Sequence, residues 1–362
     1  MIDLTIVAGA RPNFMKIASI IRAIEAVRDG QKLTYRLVHT GQHYDEKLSG
    51  SFFNDLQLPR PDINLEVGSG THAEQTADIM TKFEKYLMKN KAKYVLVVGD
   101  VNSTLACSIV AKKLNVKVIH VEGGLRSGDQ TMPEEINRLV TDSISDLFFT
   151  TTESASRNLL KEGHSKDKIY LVGNTMIDTL VANQSRYVKP PIFDDLQLAA
   201  KSYVVLTLHR PSNVDKSDNL MYILNGVNDH VNGKKIIFPV HPRTAKALGE
   251  EGTTFENIIL LEPMRYLEFM YLIKNSFAVV TDSGGIQEET TYFKIPCITL
   301  RDSTERPETA EIGTNELCNP EDGQFRMLLE RLGSGSWKKG EIPNLWDGKA
   351  GDRIVSVISD LI

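Results

Sequence analysis

Short apolar runs rich in β-branched residues recur along this chain, and longer helix-like segments separate them. The first half carries Leu4–Ala8, Tyr35–Thr40, Tyr94–Val98, Val116–Val121, Leu147–Thr151 and Lys168–Val172. The second half carries Tyr203–Leu208, Lys235–Val240, Asn257–Leu261, Phe277–Thr281 and Pro296–Leu300. Runs without apolar/polar alternation are what strands buried on both faces look like. Alternation with helices predicts parallel sheets built from right-handed βαβ crossovers. The series breaks once, between Asn174 and Lys201, where Lys189-Pro190-Pro191 interrupts a helix-like stretch. Proline removes a donor and disfavours helix in the residue before it, so this stretch reads as an interdomain connection. The expectation is an α/β protein of two Rossmann-like domains facing across a cleft, each with five or six strands. Residues 1–175 form the first, 176–345 the second, and 346–362 end the chain in an amphipathic helix, Arg353–Ile362, after Gly348 and Gly351.

The 362 residues suffice for two ordinary domains. Net charge is −5 with no long basic run, which gives no electrostatic footprint for nucleic acid. Cys107, Cys297 and Cys318 are widely spaced and odd in number, fitting neither a disulfide framework nor a metal site. No His, Asp, Glu and Cys set has metal-site spacing, and no GxGxxG fingerprint is present, so neither a protein-held metal nor NAD is expected. No window approaches a membrane span and no signal architecture opens the chain, which predicts a cytoplasmic protein.

In open parallel sheets ligands sit beyond the carboxyl ends of the strands, and here those ends carry the chemistry. The first strand runs into Gly9-Ala10-Arg11-Pro12, with Lys16 a turn later, which puts two cations near a helix N-terminus. Gly99-Asp100-Val101-Asn102-Ser103-Thr104 follows the Tyr94 run, and Asp100 or Asn102 could equally be an N-cap. His120-Val121-Glu122-Gly123-Gly124-Leu125-Arg126 sets a carboxylate and a guanidinium beside two glycines, where a structural Glu122–Arg126 ion pair is the plain alternative. Pro133-Glu134-Glu135 opens a helix, and the macrodipole alone explains both acids. His209-Arg210-Pro211 and His241-Pro242-Arg243 close two neighbouring runs with a cation each, a donor set suited to a diphosphate. Thr281-Asp282-Ser283-Gly284-Gly285 stops a strand at a helix start, where Ser283 can cap and two glycines expose N–H groups to a phosphate. Glu289 lies about two turns on, placed to accept from ribose hydroxyls. Arg301 through Glu308 adds charge after another strand end.

Together, GARP, TGQH, VVGDVNST, HVEGGLRSG, PEEINR, VGNTMID, HR, DSGGIQEE and RDSTERPE, in this order over nearly the whole chain, resemble the non-hydrolysing UDP-N-acetylglucosamine 2-epimerases. The resemblance implies a fold like that of the B-type glycosyltransferases, with UDP held by the second domain and the last helix crossing back onto the first. It implies catalytic roles for Asp100, Glu122, Glu134 and His209. It implies UDP contacts from Arg11, Lys16, His209, Phe269, Ser283, Gly284, Gly285, Glu289 and Arg306. Gln42, His43, Arg126, Arg210 and His241 become candidates for further sugar or effector contacts. The implied reaction eliminates UDP across C1–C2 to 2-acetamidoglucal and re-adds it, with no cofactor, in a homodimer whose partner molecule is a nucleotide sugar. Asn13, Gly123, Met132-Pro133 and Pro211-Ser212 depart from the commonest pattern of that family. His241-Pro242-Arg243-Thr244 also resembles relatives acting on UDP-2,3-diacetamido-glucuronate. A B-type glycosyltransferase, a hydrolysing epimerase and a catalytically dead nucleotide-sugar sensor are the competing readings. A glycosyltransferase has no need of the Asp100, Glu122 and Glu134 set, and a sensor needs only the UDP half; a hydrolysing epimerase would instead release free N-acetylmannosamine and UDP.

Overall fold

The computed structural model describes residues 2–27, 33–42, 53–249 and 255–362. His43 lies outside them. The chain makes two compact units, Met1–Ala182 with Asn344–Ile362, and Asn183–Pro343. Lys189-Pro190-Pro191 therefore belongs to the second unit, and the helix Thr175–Asn183 ends where the units divide.

The first unit holds a seven-stranded sheet in the order β3-β2-β1-β4-β5-β6-β7. Its strands are β1 (Ile2–Ala8), β2 (Tyr35–His39), β3 (Ile63–Asn64), β4 (Ala92–Val98), β5 (Lys117–Val121), β6 (Leu147–Thr150) and β7 (Ile169–Leu171). The second unit holds a six-stranded sheet in the order β10-β9-β8-β11-β12-β13. These are β8 (Tyr203–Thr207), β9 (Lys235–Pro239), β10 (Ile258–Leu261), β11 (Ala278–Thr281), β12 (Cys297–Leu300) and β13 (Asn315–Cys318). Every pairing is parallel. The central strands are buried on both faces, as their unbroken apolar runs require: Leu4, Ile6, Leu96, Val204, Leu206 and Val280 are fully covered.

Two strands escape a hydrophobic reading. β3 has only two residues, at the edge beside Val38 and His39. β13 opens on a buried asparagine, which accepts from the Thr299 hydroxyl at 2.6 Å instead of offering apolar surface.

The final helix is Ala350–Leu361, so Gly351 is inside it rather than before it. Close approach explains the glycine: a Cβ there would stand 2.6 Å from the Ser19 carbonyl oxygen on the helix Arg11–Ala26. The Gly351 N–H donates to Asp178 at 2.7 Å, which fixes this terminal helix to the first unit. Among the described residues no helix is long and apolar enough to cross a membrane.

Both sheets reverse strand order once, between β1 and β4 and between β8 and β11. Such switch points open a crevice at the carboxyl ends of the flanking strands. The charged motifs follow β1, β4 and β5 in one unit, and β8, β11 and β12 in the other.

Candidate active site

In the first unit the carboxylate after β5 is held in an unusual backbone. Glu122 has φ +68, a left-handed conformation that costs a residue with a Cβ about 1–2 kcal/mol. Its N–H donates to the Phe149 carbonyl at 2.9 Å, and its side chain is buried. Oε2 stands 2.5 Å from Lys16 Nζ, while Oε1 is buried with no hydrogen-bond partner. Lys16 comes from the helix after β1, and its ammonium compensates the Glu122 charge. Asn13 braces the same turn: its Oδ1 accepts from the Gly9 and Ala10 N–H groups, and its Nδ2 donates to Val98 O at the end of β4. The Glu122–Arg126 ion pair, the plain structural alternative at this turn, does not form. Arg126 binds Asp142 at 2.7 Å and Glu162 at 2.6 Å instead.

Asp142 is itself a hub. It accepts from the Gly124 N–H at 3.0 Å and lies 2.6 Å from His120 Nδ1, and His120 Nε2 reaches the Gly99 carbonyl at 2.9 Å. One buried His–Asp pair thus ties the turn after β4 to the turn after β5.

Asp100 follows β4 and is not the N-cap residue of the next helix. The helix Asn102–Lys113 has Val101 at its N-cap and no side-chain cap. Asp100 Oδ2 accepts from Arg138 Nε at 3.0 Å and Nη2 at 2.6 Å, and Asn102 donates to Gln75 Oε1. The adjacent acids of the helix Pro133–Ile144 part company. Glu135 is buried, accepting from Ser127 N–H, Ser127 Oγ, Gly128 N–H and Arg138 Nη1. Burial pushes its carboxyl up, but those donors outweigh it and hold the group below the ordinary value. Glu134 is exposed, unlike its neighbour. Gln42 is buried and accepts from the Ser103 hydroxyl at 2.9 Å, so its amide is already engaged in the unit's own structure. Arg11 is exposed at the first position of its helix.

The second unit gathers the other half of the set. Asp282, fully buried after β11, accepts from the His209 and Arg210 backbone N–H groups at 2.9 and 2.8 Å and from Asn213 Nδ2 at 3.2 Å. His209 Nδ1 stands 2.6 Å from it, leaving the rest of the ring partly exposed. Burial would raise the Asp282 carboxyl, but His209 and the backbone donors hold it below its usual range. A pocket beside this ring is lined by Thr207, His209, His241, Phe269, Ser283 and Ile286 among others. The His241 ring centroid is 5.9 Å from that of His209, and its Nδ1 accepts from the Arg243 N–H. Desolvation first, then His209, lowers its proton affinity.

The helix Gly284–Phe293 starts at this pocket. Ser283 is its N-cap residue but makes no side-chain cap hydrogen bond, contrary to the capping expected of it. The first-turn N–H groups are therefore left without that partner. Glu289 is buried further along, and desolvation together with the charge of Glu288 raises its carboxyl to about 8. A carboxyl raised in this way keeps its proton more readily than an ordinary glutamate, and in that form it can donate to a hydroxyl as well as accept. Arg306 is buried against Glu288 and Glu305.

A family model described as UDP-N-acetylglucosamine 2-epimerase matches residues 25–359. The chain belongs to the UDP-N-acetylglucosamine 2-epimerase family. It is 42% identical to the UDP-N-acetylglucosamine 2-epimerase of Methanocaldococcus jannaschii, over 98% of each chain. A crystal structure of that enzyme in complex with UDP-GlcNAc and UDP superimposes with a TM-score of 0.87, covering 99% of both chains. The chain is also 40% identical to a UDP-2,3-diacetamido-2,3-dideoxy-D-glucuronate 2-epimerase of Pseudomonas aeruginosa, over 99% of each.

Within the first unit the structure joins Lys16 to Glu122 and places Asp100 on Arg138; within the second it groups His209, His241, Phe269 and Ser283 around one pocket. Sequence reasoning quoted Asp282 and Arg301 only as members of charged strand-end segments, with no role of their own, and passed over Asp142. The one signal that Asp282 and Arg301 share is a charged residue within a step of the end of an apolar strand.

The Glu289 environment predicts a trade of stability against binding. A folded pKa of about 8 against an ordinary 4.5 means the native state holds a proton the unfolded chain releases. Stability contributed by this group therefore falls as pH rises from about 4.5 to about 8. Glu289→Gln, which cannot ionise, is expected to melt roughly 5 °C above wild type near pH 8.5. The gap should close towards pH 4.5. A pH series of melting curves checks this.

Proposed function

We propose that the protein interconverts the C2 epimers of a UDP-2-acetamido sugar, with UDP-N-acetylglucosamine and UDP-N-acetylmannosamine as the first pair. The observation that carries the proposal is Glu122: a buried carboxylate in a costly backbone conformation, with one oxygen held by Lys16 and the other without a partner. Strain kept at a buried acid next to two glycines is the mark of a group positioned for a ligand.

The C2 hydrogen of such a sugar is not adjacent to a carbonyl, so simple enolisation is unavailable. Elimination solves this. A carboxylate takes the C2 proton, the C1–O bond breaks, C1 and C2 become doubly bonded, and UDP leaves with the electron pair. Protonation of C2 on the other face and return of the UDP oxygen to C1 complete the epimerisation. In this reading the second unit holds the nucleotide. The uncapped N–H groups at Gly284 and Gly285, His209 and Arg306 stabilise the negative charge that grows on the diphosphate. Phe269 and Glu289 serve the nucleoside, and Arg11 adds a cation. The first unit supplies the acids: Glu122 exchanges the proton, Glu134 is available for the opposite face, and Asp100 is set by Arg138 beside the developing positive charge.

The Pseudomonas relative supports a second reading of the sugar, in which the substrate carries a second acetamido group and a carboxylate. Incubation with each UDP-sugar, followed by proton NMR of the anomeric region, separates the two. The expected result is an equilibrium mixture of the two N-acetylhexosamine epimers. Turnover of the diacetamido-glucuronate alone would move the substrate and keep the reaction. Inertness towards both would end the proposal.

A further inference from the structure

We propose that Arg301 is a phosphate-binding residue, donating from Nη1 to the diphosphate at the start of the helix Gly284–Phe293. The inference rests on the UDP-sugar reading above and adds a residue to it.

Arg301 is the first residue after β12, the strand paired with β11, so it stands at the same carboxyl edge as Asp282 and Ser283. Its side chain is 3% exposed. Nη2 is fixed by Glu305 Oε2 at 2.9 Å, yet Nη1 is buried with no hydrogen-bond partner. A buried guanidinium N–H without an acceptor is costly to leave unpaired unless something binds it. The position of that nitrogen is marked by Gly284. A Cβ on Gly284 would stand 3.5 Å from Arg301 Nη1, 3.2 Å from Arg306 Nη1 and 2.9 Å from Glu305 Oε1. Arg301 Nη1 thus lies at van der Waals distance from the first turn of the helix, while Glu305 and Arg306 crowd the same point closely enough to favour a residue without a side chain.

That first turn asks independently for an anion. Ser283 provides no side-chain cap, and no acidic residue lies in the turn. Helix N–H groups and an unpartnered guanidinium N–H therefore meet at one place. Glu305 already balances much of the Arg301 charge, so the contribution is a donor held in fixed geometry more than net charge. A lysine keeps the charge and loses that fork.

The test compares Arg301→Lys with wild type for UDP and for uridine, which shares the nucleoside but has no phosphate. Calorimetry reads UDP, and ligand-observed NMR reads uridine. UDP affinity is expected to fall roughly tenfold or more, the scale of a charge-assisted hydrogen bond, with uridine affinity unchanged. Equal losses for both ligands would show a structural role and overturn the proposal. So would unchanged UDP affinity in a variant that still epimerises. If wild type bound no UDP, the functional reading itself would fall first. Should Arg301→Lys not fold, a crystal structure of wild type with UDP decides: Nη1 about 3 Å from a phosphate oxygen supports the assignment, and Nη1 turned away from the phosphates refutes it.

Discussion

Glu122→Gln is expected to lower turnover by roughly 100-fold or more, the usual scale for an acid–base group, while leaving UDP affinity near wild type. The amide keeps the shape of the side chain but cannot take a proton. Because UDP lacks the sugar, it reports only on the nucleotide side. The variant also leaves Lys16 buried without its carboxylate partner at 2.5 Å. Breaking such a pair costs about 3–5 kcal/mol, so a lower melting temperature should accompany the loss of rate. A coupled rate assay, calorimetry with UDP and a melting curve on one preparation check all three. Loss of UDP binding as severe as the loss of rate would contradict the assignment of Glu122 to chemistry at the sugar.

Asp282→Ala should be the most damaging single change in the second unit. It removes the acceptor for two backbone N–H groups, the Asn213 amide and the His209 ring at once. Leaving buried donors unpaired costs about 1–3 kcal/mol each, so a loss of at least 3 kcal/mol is expected, measured by denaturant unfolding. UDP affinity should fall with it, because the His209 ring loses the group that orients it. The pH dependence has a definite sign. The Asp282 carboxyl is held below its ordinary value by His209 and the backbone donors, against the opposing effect of burial. Its stabilisation is therefore complete above about pH 4, the unfolded value, and fades as pH falls through the lower folded value. The stability gap between wild type and variant should be constant at neutral pH and narrow in acid.

How much of this could be read in the sequence depended on whether the signal was local. The apolar runs at Leu4, Tyr94 and Tyr203 became buried central strands because nothing but burial on both faces explains an unbroken run. β13 was invisible because Asn315 and Glu316 read as loop, and its burial is repaid by hydrogen bonds formed only in the folded sheet. The acids and cations at the strand ends were legible as a set, since strand ends are where such sheets present chemistry. Their partners were not. Lys16 meets Glu122 and His209 meets Asp282 across long stretches of chain, pairings that follow from strand order rather than from spacing. The Glu122–Arg126 ion pair, the plain alternative at that turn, is absent for a local reason. A four-residue separation brings side chains together on a helix, and Glu122 sits at a strand end with φ +68. Glu134 and Glu135, indistinguishable by the macrodipole argument, were separated only when Ser127 and Gly128 proved to bind one of them.

The proton at C2 tests the central claim most directly. The protein incubated with UDP-N-acetylglucosamine in D2O is expected to yield both epimers, each carrying one solvent deuteron at C2 and none elsewhere on the ring. A proton held by a side chain in an accessible site exchanges with solvent before it returns. Proton NMR would show the C2 signal disappear and its C1 and C3 neighbours lose that coupling, with small amounts of UDP and 2-acetamidoglucal accumulating. Formation of the second epimer with the original C2 hydrogen retained, or no C2 exchange in any UDP-2-acetamido sugar supplied, would contradict the account.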